Sequence, residues 1–199
     1  MFNRTTAVVW FTFAAVTSFA HGAEDTPAVS APQSVPMELV SKQLGGIKPL
    51  HVLGDIYLAG QPRPQDIDLL STEGVKTVIT LRKRGEVPWD EGAIVMQHGM
   101  KLVEVPFQSP EELKPAVFDK VRKVLLDKKR GPTVLHCGSA NRVGAIWYAH
   151  RVLDAKVDPS VALEEARIIG LRTPQYLEKA QAYVQSEQRK PAKPASATR

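Results

Sequence analysis

The sequence predicts an α/β domain in which helices cover both faces of a mostly parallel central sheet. Segments with strand character alternate with segments of helical periodicity, which is the pattern of repeated strand–helix–strand units. Two strand segments, VKTVITL at 75–81 and PTVLHC at 132–137, are rich in apolar and β-branched residues. Such runs are typical of parallel strands that are buried on both faces. We therefore expect a three-layer α/β/α fold.

The individual elements follow from the same patterns. The predicted strands are a pair or hairpin within 51–60, then 75–81, 101–107 and 132–137. The predicted helices are 63–74, 87–99, 109–129, 142–155, 158–170 and 173–188. In the helix 109–129, Ser109 is placed to cap the first turn, Pro110 fits the first helical position, and Glu112 completes a capping box.

The balance of charges does not indicate a nucleic-acid partner. The chain has 26 basic and 21 acidic residues, but one of the basic residues lies in 1–22 and four lie in 189–199, where there are no acids. Residues 23–188 therefore carry 21 charges of each sign. A neutral domain lacks the excess of Lys and Arg that binding to a phosphate backbone requires, so no nucleic-acid partner is predicted.

The two ends of the chain differ in composition from the middle. Residues 1–22 have one positive charge, then an apolar stretch and then small residues, which is the order of a secretory signal peptide. We expect 23–37, rich in Pro, Ala and Ser, to be a flexible linker, 38–188 to be the folded domain, and 189–199 to be a disordered basic tail. The expected location is periplasmic or secreted, with no stable membrane insertion after cleavage.

The lone cysteine of the chain stands where a strand ends and a helix begins. Cys137 is followed by Gly138, Ser139, Ala140 and Asn141, then by Arg142 at the start of a helical pattern. The first amides of a helix have no intrahelical acceptor, so the loop can hold an anion, and its potential stabilises a thiolate. The planar guanidinium of Arg142 can bind two oxygens of an oxyanion. This combination indicates covalent catalysis by a cysteine on a phosphoryl or sulfur-containing group.

The HCGSANR segment resembles the signature loop of cysteine-dependent tyrosine and dual-specificity phosphatases. More closely, AGQP at 59–62, TVITLR at 77–82 and HCGSANR together resemble a small bacterial phosphatase-like family, which includes the phosphatase-like part of β-lactamase-hydrolase-like proteins. The similarity extends over roughly 50–184. It implies a dual-specificity-phosphatase-like fold, Cys137 as nucleophile, Arg142 as phosphate clamp, and a phosphorylated protein or small molecule as substrate.

Three features of the loop depart from the usual phosphatase pattern. Arg142 follows Cys137 by five positions rather than six, Ala140 stands where glycine is favoured, and Val143 replaces a common Ser or Thr. The shorter spacing also occurs in rhodanese-type loops. Two alternatives therefore stay open, a sulfurtransferase that carries a persulfide on Cys137 and a catalytically weak anion-binding pseudophosphatase.

The residues that support the chemistry are less clearly indicated. The family resemblance implies a general acid, commonly Asp, about thirty residues before the cysteine, but the corresponding segment VPFQSPEEL holds only Glu111 and Glu112. Glu112 is the candidate acid, and the alternatives are Glu86, Asp90 and Glu91. His136 and Arg82 are candidate supporting residues at the same edge of the sheet. The histidines form no ligand pattern, so neither a metal nor a cofactor is predicted, and the oligomeric state is not indicated.

Overall fold

The computed structural model describes residues 38–191. The predicted signal peptide, the predicted linker and residues 192–199 of the predicted tail lie outside the described residues. The strands are β1 Val40–Ser41, β2 Leu50–Leu53, β3 Ile56–Ala59, β4 Thr77–Thr80, β5 Lys101–Glu104 and β6 Thr133–His136. The helices are α1 Pro64–Thr72, α2 Glu91–Gln97, α3 Pro115–Leu126, α4 Asn141–Leu153, α5 Pro159–Ile169 and α6 Pro174–Arg189, with a 3₁₀ turn at Pro110–Glu112.

The strands form one sheet in the order β1-β2-β3-β6-β4-β5. β3, β6, β4 and β5 are mutually parallel, whereas β1 and β2 are antiparallel additions at one edge, so that β2 and β3 form the predicted hairpin. The carboxyl ends of β4 and β6 lie side by side, with Thr80 opposite His136. Ligands of such sheets bind outside these carboxyl ends, and Cys137 is the residue that follows β6.

Each face of the sheet has its own hydrophobic core. Leu58, Ile79 and Leu135 point to one face, where they pack with buried residues of α3, α4, α5 and α6. Their strand neighbours, among them Val78 and Val134, point to the other face and pack with α1 and α2. This alternation along the strands produces the three-layer α/β/α architecture. Among residues 38–191, no helix is both long and apolar enough to cross a membrane.

The start of α3 differs from the prediction. The α-helix begins at Pro115 rather than near Ser109, and the side chain of Ser109 caps no helix; it precedes the short 3₁₀ turn. Pro115 explains the difference, because a proline disfavours helical geometry in the residue before it, and Lys114 is extended with φ −86° and ψ 161°. Similarly, α2 is shorter than 87–99, because Asp90 caps it by accepting a hydrogen bond from the amide of Ala93.

The helix that follows the cysteine loop packs very closely on its neighbour. A Cβ atom placed on Gly144 of α4 would lie 2.7 Å from the carbonyl oxygen of Ala166 in α5 and 2.7 Å from Cβ of Leu171. Only a glycine permits this approach. The contact brings the connection between α5 and α6 over the first turn of α4, and hence over the cysteine loop.

Candidate active site

The cysteine loop, residues 137–142, runs from the end of β6 to the first turn of α4. Cys137 is 1% exposed and therefore lies at the floor of the loop. A backbone hydrogen bond connects the loop to the neighbouring AGQP segment: the carbonyl oxygen of Gly138 accepts from the amide of Gln61 at 3.1 Å. The amides of Gly138, Ser139 and Arg142 donate to no acceptor within residues 38–191. Amides in this position at the start of a 13-residue helix provide donors for an oxyanion.

Arg142 turns back towards the cysteine loop and is held there by several acceptors. Its Nη1 donates to the carbonyl oxygens of Leu81 at 3.0 Å and Phe107 at 2.7 Å. Its two terminal nitrogens also pair with both carboxylate oxygens of Glu86, at 2.9 and 2.7 Å. A Cβ atom on Gly138 would be 3.7 Å from Nη2, which places the guanidinium beside the loop that holds Cys137.

The charge of Arg142 is stabilised although the side chain is buried. Burial opposes the charged form, but the hydrogen bonds that Arg142 donates to Glu86 and the attraction of Cys137 and Glu86 raise the pKa of Arg142 above its usual value. Burial would likewise raise the pKa of Glu86, yet the hydrogen bonds from Arg142 and the amide of Lys83 lower it. Glu86, an alternative general acid from the sequence, is thus an ionised partner of the arginine at neutral pH.

Ala140, which stands where the phosphatase pattern favours glycine, has a left-handed backbone. Ala140 has φ 58° and ψ 3°, a conformation that costs an L-residue roughly 1–2 kcal/mol. Gly170, at the end of α5, makes room for it. A Cβ atom on Gly170 would lie 3.2 Å from Cβ of Ala140 and 3.0 Å from the carbonyl oxygen of Ser139, and Gly170 itself has φ 141°.

Gly170→Ala is therefore expected to destabilise the fold. The added methyl group meets a crowded site in an unfavourable backbone conformation, which costs about 1–3 kcal/mol. Ala140→Gly should recover part of this loss in the double variant, because it removes one of the two close neighbours. Urea unfolding of the four proteins in the cycle measures the coupling, expected at about 0.5–1 kcal/mol. Strict additivity would show that these two residues do not share the contact.

His136, Arg82 and Glu91 form a buried charged cluster on the α2 side of the sheet. Nη2 of Arg82 donates to Oε2 of Glu91 at 2.9 Å. Nε2 of His136 lies 3.0 Å from Oε1 of Glu91, at ion-pair distance but without hydrogen-bond alignment. Burial alone would raise the pKa of Glu91, but the attraction of His136 and Arg82 lowers it to about 2. The cluster thus links His136, the residue before Cys137, to Arg82 and Glu91, which lie at the two ends of the segment that carries Glu86.

Glu91→Gln should flatten the acid dependence of the free energy of unfolding. A carboxyl group with a pKa near 4.5 when unfolded and about 2 when native contributes on the order of 3 kcal/mol above pH ~5. Because the native pKa is depressed, this contribution is lost as pH falls from about 4.5 towards about 2. Urea unfolding at several pH values across this window should show the wild-type and variant curves converging in acid. Parallel curves would contradict the assignment, and Glu164→Gln, at an exposed position of α5, is the control.

The remaining candidate acids lie in other environments. Glu112 lies in the 3₁₀ turn that comes shortly after Phe107 in the sequence. Its carboxylate accepts hydrogen bonds from Nζ of Lys83 at 2.7 Å and from the amide of Gln108 at 2.7 Å. The side-chain hydrogen bond from Lys83 is the main cause of its lowered pKa. Glu111 is exposed and its pKa is also lowered, principally by a hydrogen bond from Ser109. Within residues 38–191, no cluster of His, Cys, Asp or Glu is arranged to hold a metal ion.

The connection between α5 and α6 contributes residues that the sequence did not indicate. Oδ1 of Asn141 accepts hydrogen bonds from the amides of Arg172 at 2.9 Å and Thr173 at 3.3 Å, and its Nδ2 donates to Oγ1 of Thr173 at 2.7 Å. Tyr176, which follows, donates to the carbonyl oxygen of Gln108 at 2.7 Å. The side chain of Asn141 thus holds this connection in place. Gly170 and Pro174 mark a short helix–helix connection in the sequence, but not its position beside the loop.

A comparison with curated proteins finds a bacterial phosphatase as a relative of this chain. The dual specificity protein phosphatase TpbA of Pseudomonas aeruginosa is 26% identical over 130 residues. The match covers 65% of this chain and 57% of the relative, so the chain spans little more than half of that protein's length. No family model matches the chain.

Solved structures of phosphatases share the fold. A crystal structure of P. aeruginosa TpbA, 26% identical, matches 69% of this chain and 83% of that chain with a TM-score of 0.56. A cysteine-to-serine variant of TpbA in complex with phosphotyrosine, 23% identical, matches 76% and 91% with a TM-score of 0.59. A protein of the DUF442 group from Shewanella putrefaciens, 20% identical, matches 71% and 94% with a TM-score of 0.62. With a cysteine–arginine loop at the carboxyl end of β6, these likenesses confirm the predicted fold class and the predicted resemblance to bacterial dual-specificity and tyrosine phosphatase-like proteins.

Proposed function

We propose that the protein is an exported cysteine-dependent phosphatase that hydrolyses a phosphomonoester through a phosphocysteine intermediate. The observation that carries the proposal is that Cys137 and a charged Arg142 share one loop. The guanidinium lies beside amides that have no acceptor in the described part of the chain. The phosphotyrosine bound to the TpbA variant supports a phosphorylated substrate. The predicted site residues belong to the proposal, with 138–142 binding phosphate and with His136 and Arg82 supporting the loop.

The chemistry follows from the positions of these groups. The Cys137 thiolate attacks phosphorus, an S–P bond forms, and the P–O bond to the leaving group breaks with its electron pair going to that oxygen. Arg142 and the loop amides stabilise the charge on the phosphoryl oxygens during the transfer. Water then attacks the phosphorus of the phosphocysteine, and the S–P bond breaks with its electron pair going to sulfur. Inorganic phosphate is released with both protons of the water, and the thiolate is regenerated.

The leaving group determines how much the reaction depends on an acid. We propose Glu112 as the proton donor, since it lies on the turn that follows the Phe107 carbonyl. Its lowered pKa means that little of the acid form is present at neutral pH. An aryl oxide departs without a proton, whereas an alkoxide needs one, and general acid catalysis is worth about 10²–10⁴ in rate. We infer that aryl phosphates are the better substrates and that alkyl phosphates gain relative rate as pH falls.

The deciding experiment follows both turnover and the covalent intermediate. An aryl phosphate should be hydrolysed, with inhibition by vanadate, and rapid acid quench should trap a protein about 80 Da heavier, as a phosphocysteine requires. A persulfide on Cys137, about 32 Da heavier, together with thiocyanate formation from thiosulfate and cyanide, would instead support the sulfurtransferase. Phosphate binding without either activity would support the pseudophosphatase.

Export is a separate part of the proposal. It rests on the charge–apolar–small order of residues 1–22, which is the order of a secretory signal peptide. Mass spectrometry of the protein from its native cell should show a mature form that begins close to residue 23, in the periplasmic or culture fraction. An intact N-terminus in the cytoplasmic fraction would contradict it.

A further inference from the structure

Arg172 lies at the rim of the cysteine loop, between α5 and α6. Its Nη2 donates to Oγ of Ser139 at 2.7 Å, and its Nη1 lies 3.3 Å from the carbonyl oxygen of Gly170 and 3.5 Å from that of Ser139. Ser139 is the second residue after Cys137. The side chain of Arg172 is therefore exposed to solvent and in contact with the loop that is proposed to bind phosphate.

The charge of Arg172 is not balanced in the way that the charge of Arg142 is. Arg142 has a bidentate partner in Glu86, and among the described residues no carboxylate lies within ion-pair distance of Arg172. The three acceptors of Arg172 are neutral oxygens. A phosphate or carboxylate oxygen attracts the guanidinium through its full negative charge, which a neutral hydroxyl oxygen lacks. An anion arriving at this rim can therefore replace Ser139 as the acceptor.

The backbone of Arg172 is fixed although its side chain is exposed. Its amide donates to Oδ1 of Asn141 at 2.9 Å, and Asn141 begins the helix that follows the cysteine loop. The Cα atom of Arg172 is thus held at a set position relative to the loop amides. Only the side chain has to be ordered when an anion binds, which keeps the entropic cost of the contact small.

We propose that Arg172 recognises a second anionic group on the substrate, beside the phosphate held by residues 138–142. The substrate class is then a phosphomonoester that carries a nearby phosphate or carboxylate, rather than an isolated phosphate on an uncharged body. This inference rests on the proposed function of the cysteine loop. In this proposal Arg172 determines which substrates bind, and it takes no part in bond breaking.

Binding of three simple anions to the Cys137→Ser protein tests the proposal without turnover. The probes are inorganic phosphate, pyrophosphate with a second phosphate, and phosphoglycolate with a carboxylate, with affinities measured by calorimetry. Pyrophosphate, phosphoglycolate or both should bind at least about tenfold more tightly than phosphate. Adding Arg172→Gln should remove most of that advantage while it changes phosphate affinity by less than about threefold. The probe that loses affinity identifies the source of the second charge.

Two further variants separate recognition from general electrostatics and from loop organisation. Arg167→Gln removes an exposed positive charge from α5 and should leave the preference intact. Arg172→Lys keeps the charge but loses the planar fork, and should retain only part of the preference.

Three outcomes would overturn the proposal. An equal loss for phosphate and for the two larger anions would mean that Arg172 only organises Ser139, and an unchanged preference would mean that it binds neither. Absence of phosphate binding in every variant would remove the proposed function itself, and the role of Arg172 with it.

Discussion

Cys137→Ser is expected to reduce hydrolysis of an aryl phosphate by at least about 10⁴-fold while phosphate binding persists. A serine hydroxyl is a far weaker nucleophile than a thiolate held among amide donors, so the S–P bond cannot form. The replacement is close in size, and Cys137 is buried at a strand end without a disulfide, so the fold should be retained. Steady-state kinetics, phosphate binding and thermal unfolding of the two proteins provide the three measurements.

The three measurements together show why turnover is lost in Cys137→Ser. Lost turnover with retained binding and an unchanged unfolding temperature assigns Cys137 as the nucleophile. If turnover is lost and the unfolding temperature also falls, misfolding could explain the loss. Limited alkylation of wild-type Cys137 with iodoacetamide then tests whether the thiol itself is required. Alkylation should inactivate the enzyme, and saturating phosphate should protect it. Turnover above about 1% of wild type in Cys137→Ser would contradict the mechanism.

Arg142→Lys should lower kcat/KM for the same substrate by about 10²–10³-fold, because an ammonium cannot bind two oxygens in one plane. The structure adds a second cause. The guanidinium is positioned by Glu86 and by the carbonyl oxygens of Leu81 and Phe107, and a lysine cannot satisfy all of these acceptors. Glu86→Gln should have a smaller effect of about tenfold, since an amide keeps one acceptor but removes the charge.

Arg122→Lys is the matched control for this prediction. Arg122 is also largely buried and also pairs with both oxygens of a carboxylate, that of Asp154, at 2.9 and 2.6 Å. It joins α3 to the end of α4, away from the cysteine loop. The control should lower the free energy of unfolding and leave kcat/KM close to wild type. Equal kinetic losses in both lysine variants would mean that stability, rather than phosphate binding, explains the effect.

The architecture and the central loop could be predicted from the sequence because their signals are local. The β-branched runs before 82 and before 137 give the two central strands. A proline marks the start of α1, α5 and α6, and a glycine follows the end of α1 and of α5. Cys137 and Arg142 are five positions apart, so a strand end and a helix start suffice to bring them to one loop. The exception is the start of α3, where the local capping signal at Ser109 competed with Pro115 and the proline determined the geometry.

What surrounds the loop was decided only by the tertiary structure. Glu86 is 56 residues from Arg142 in sequence, and Arg172 is 33 residues from Ser139, yet both contacts exist because different elements end at the same edge of the sheet. Glu91 faces His136 for the same reason, since α2 packs on the sheet face to which His136 points. The sequence by itself determined which side chains can carry a charge and which can accept a hydrogen bond. Which of them pair depends on strand order and helix packing, because a buried charge persists only beside a partner, and that partner is chosen by the fold rather than by its distance along the chain.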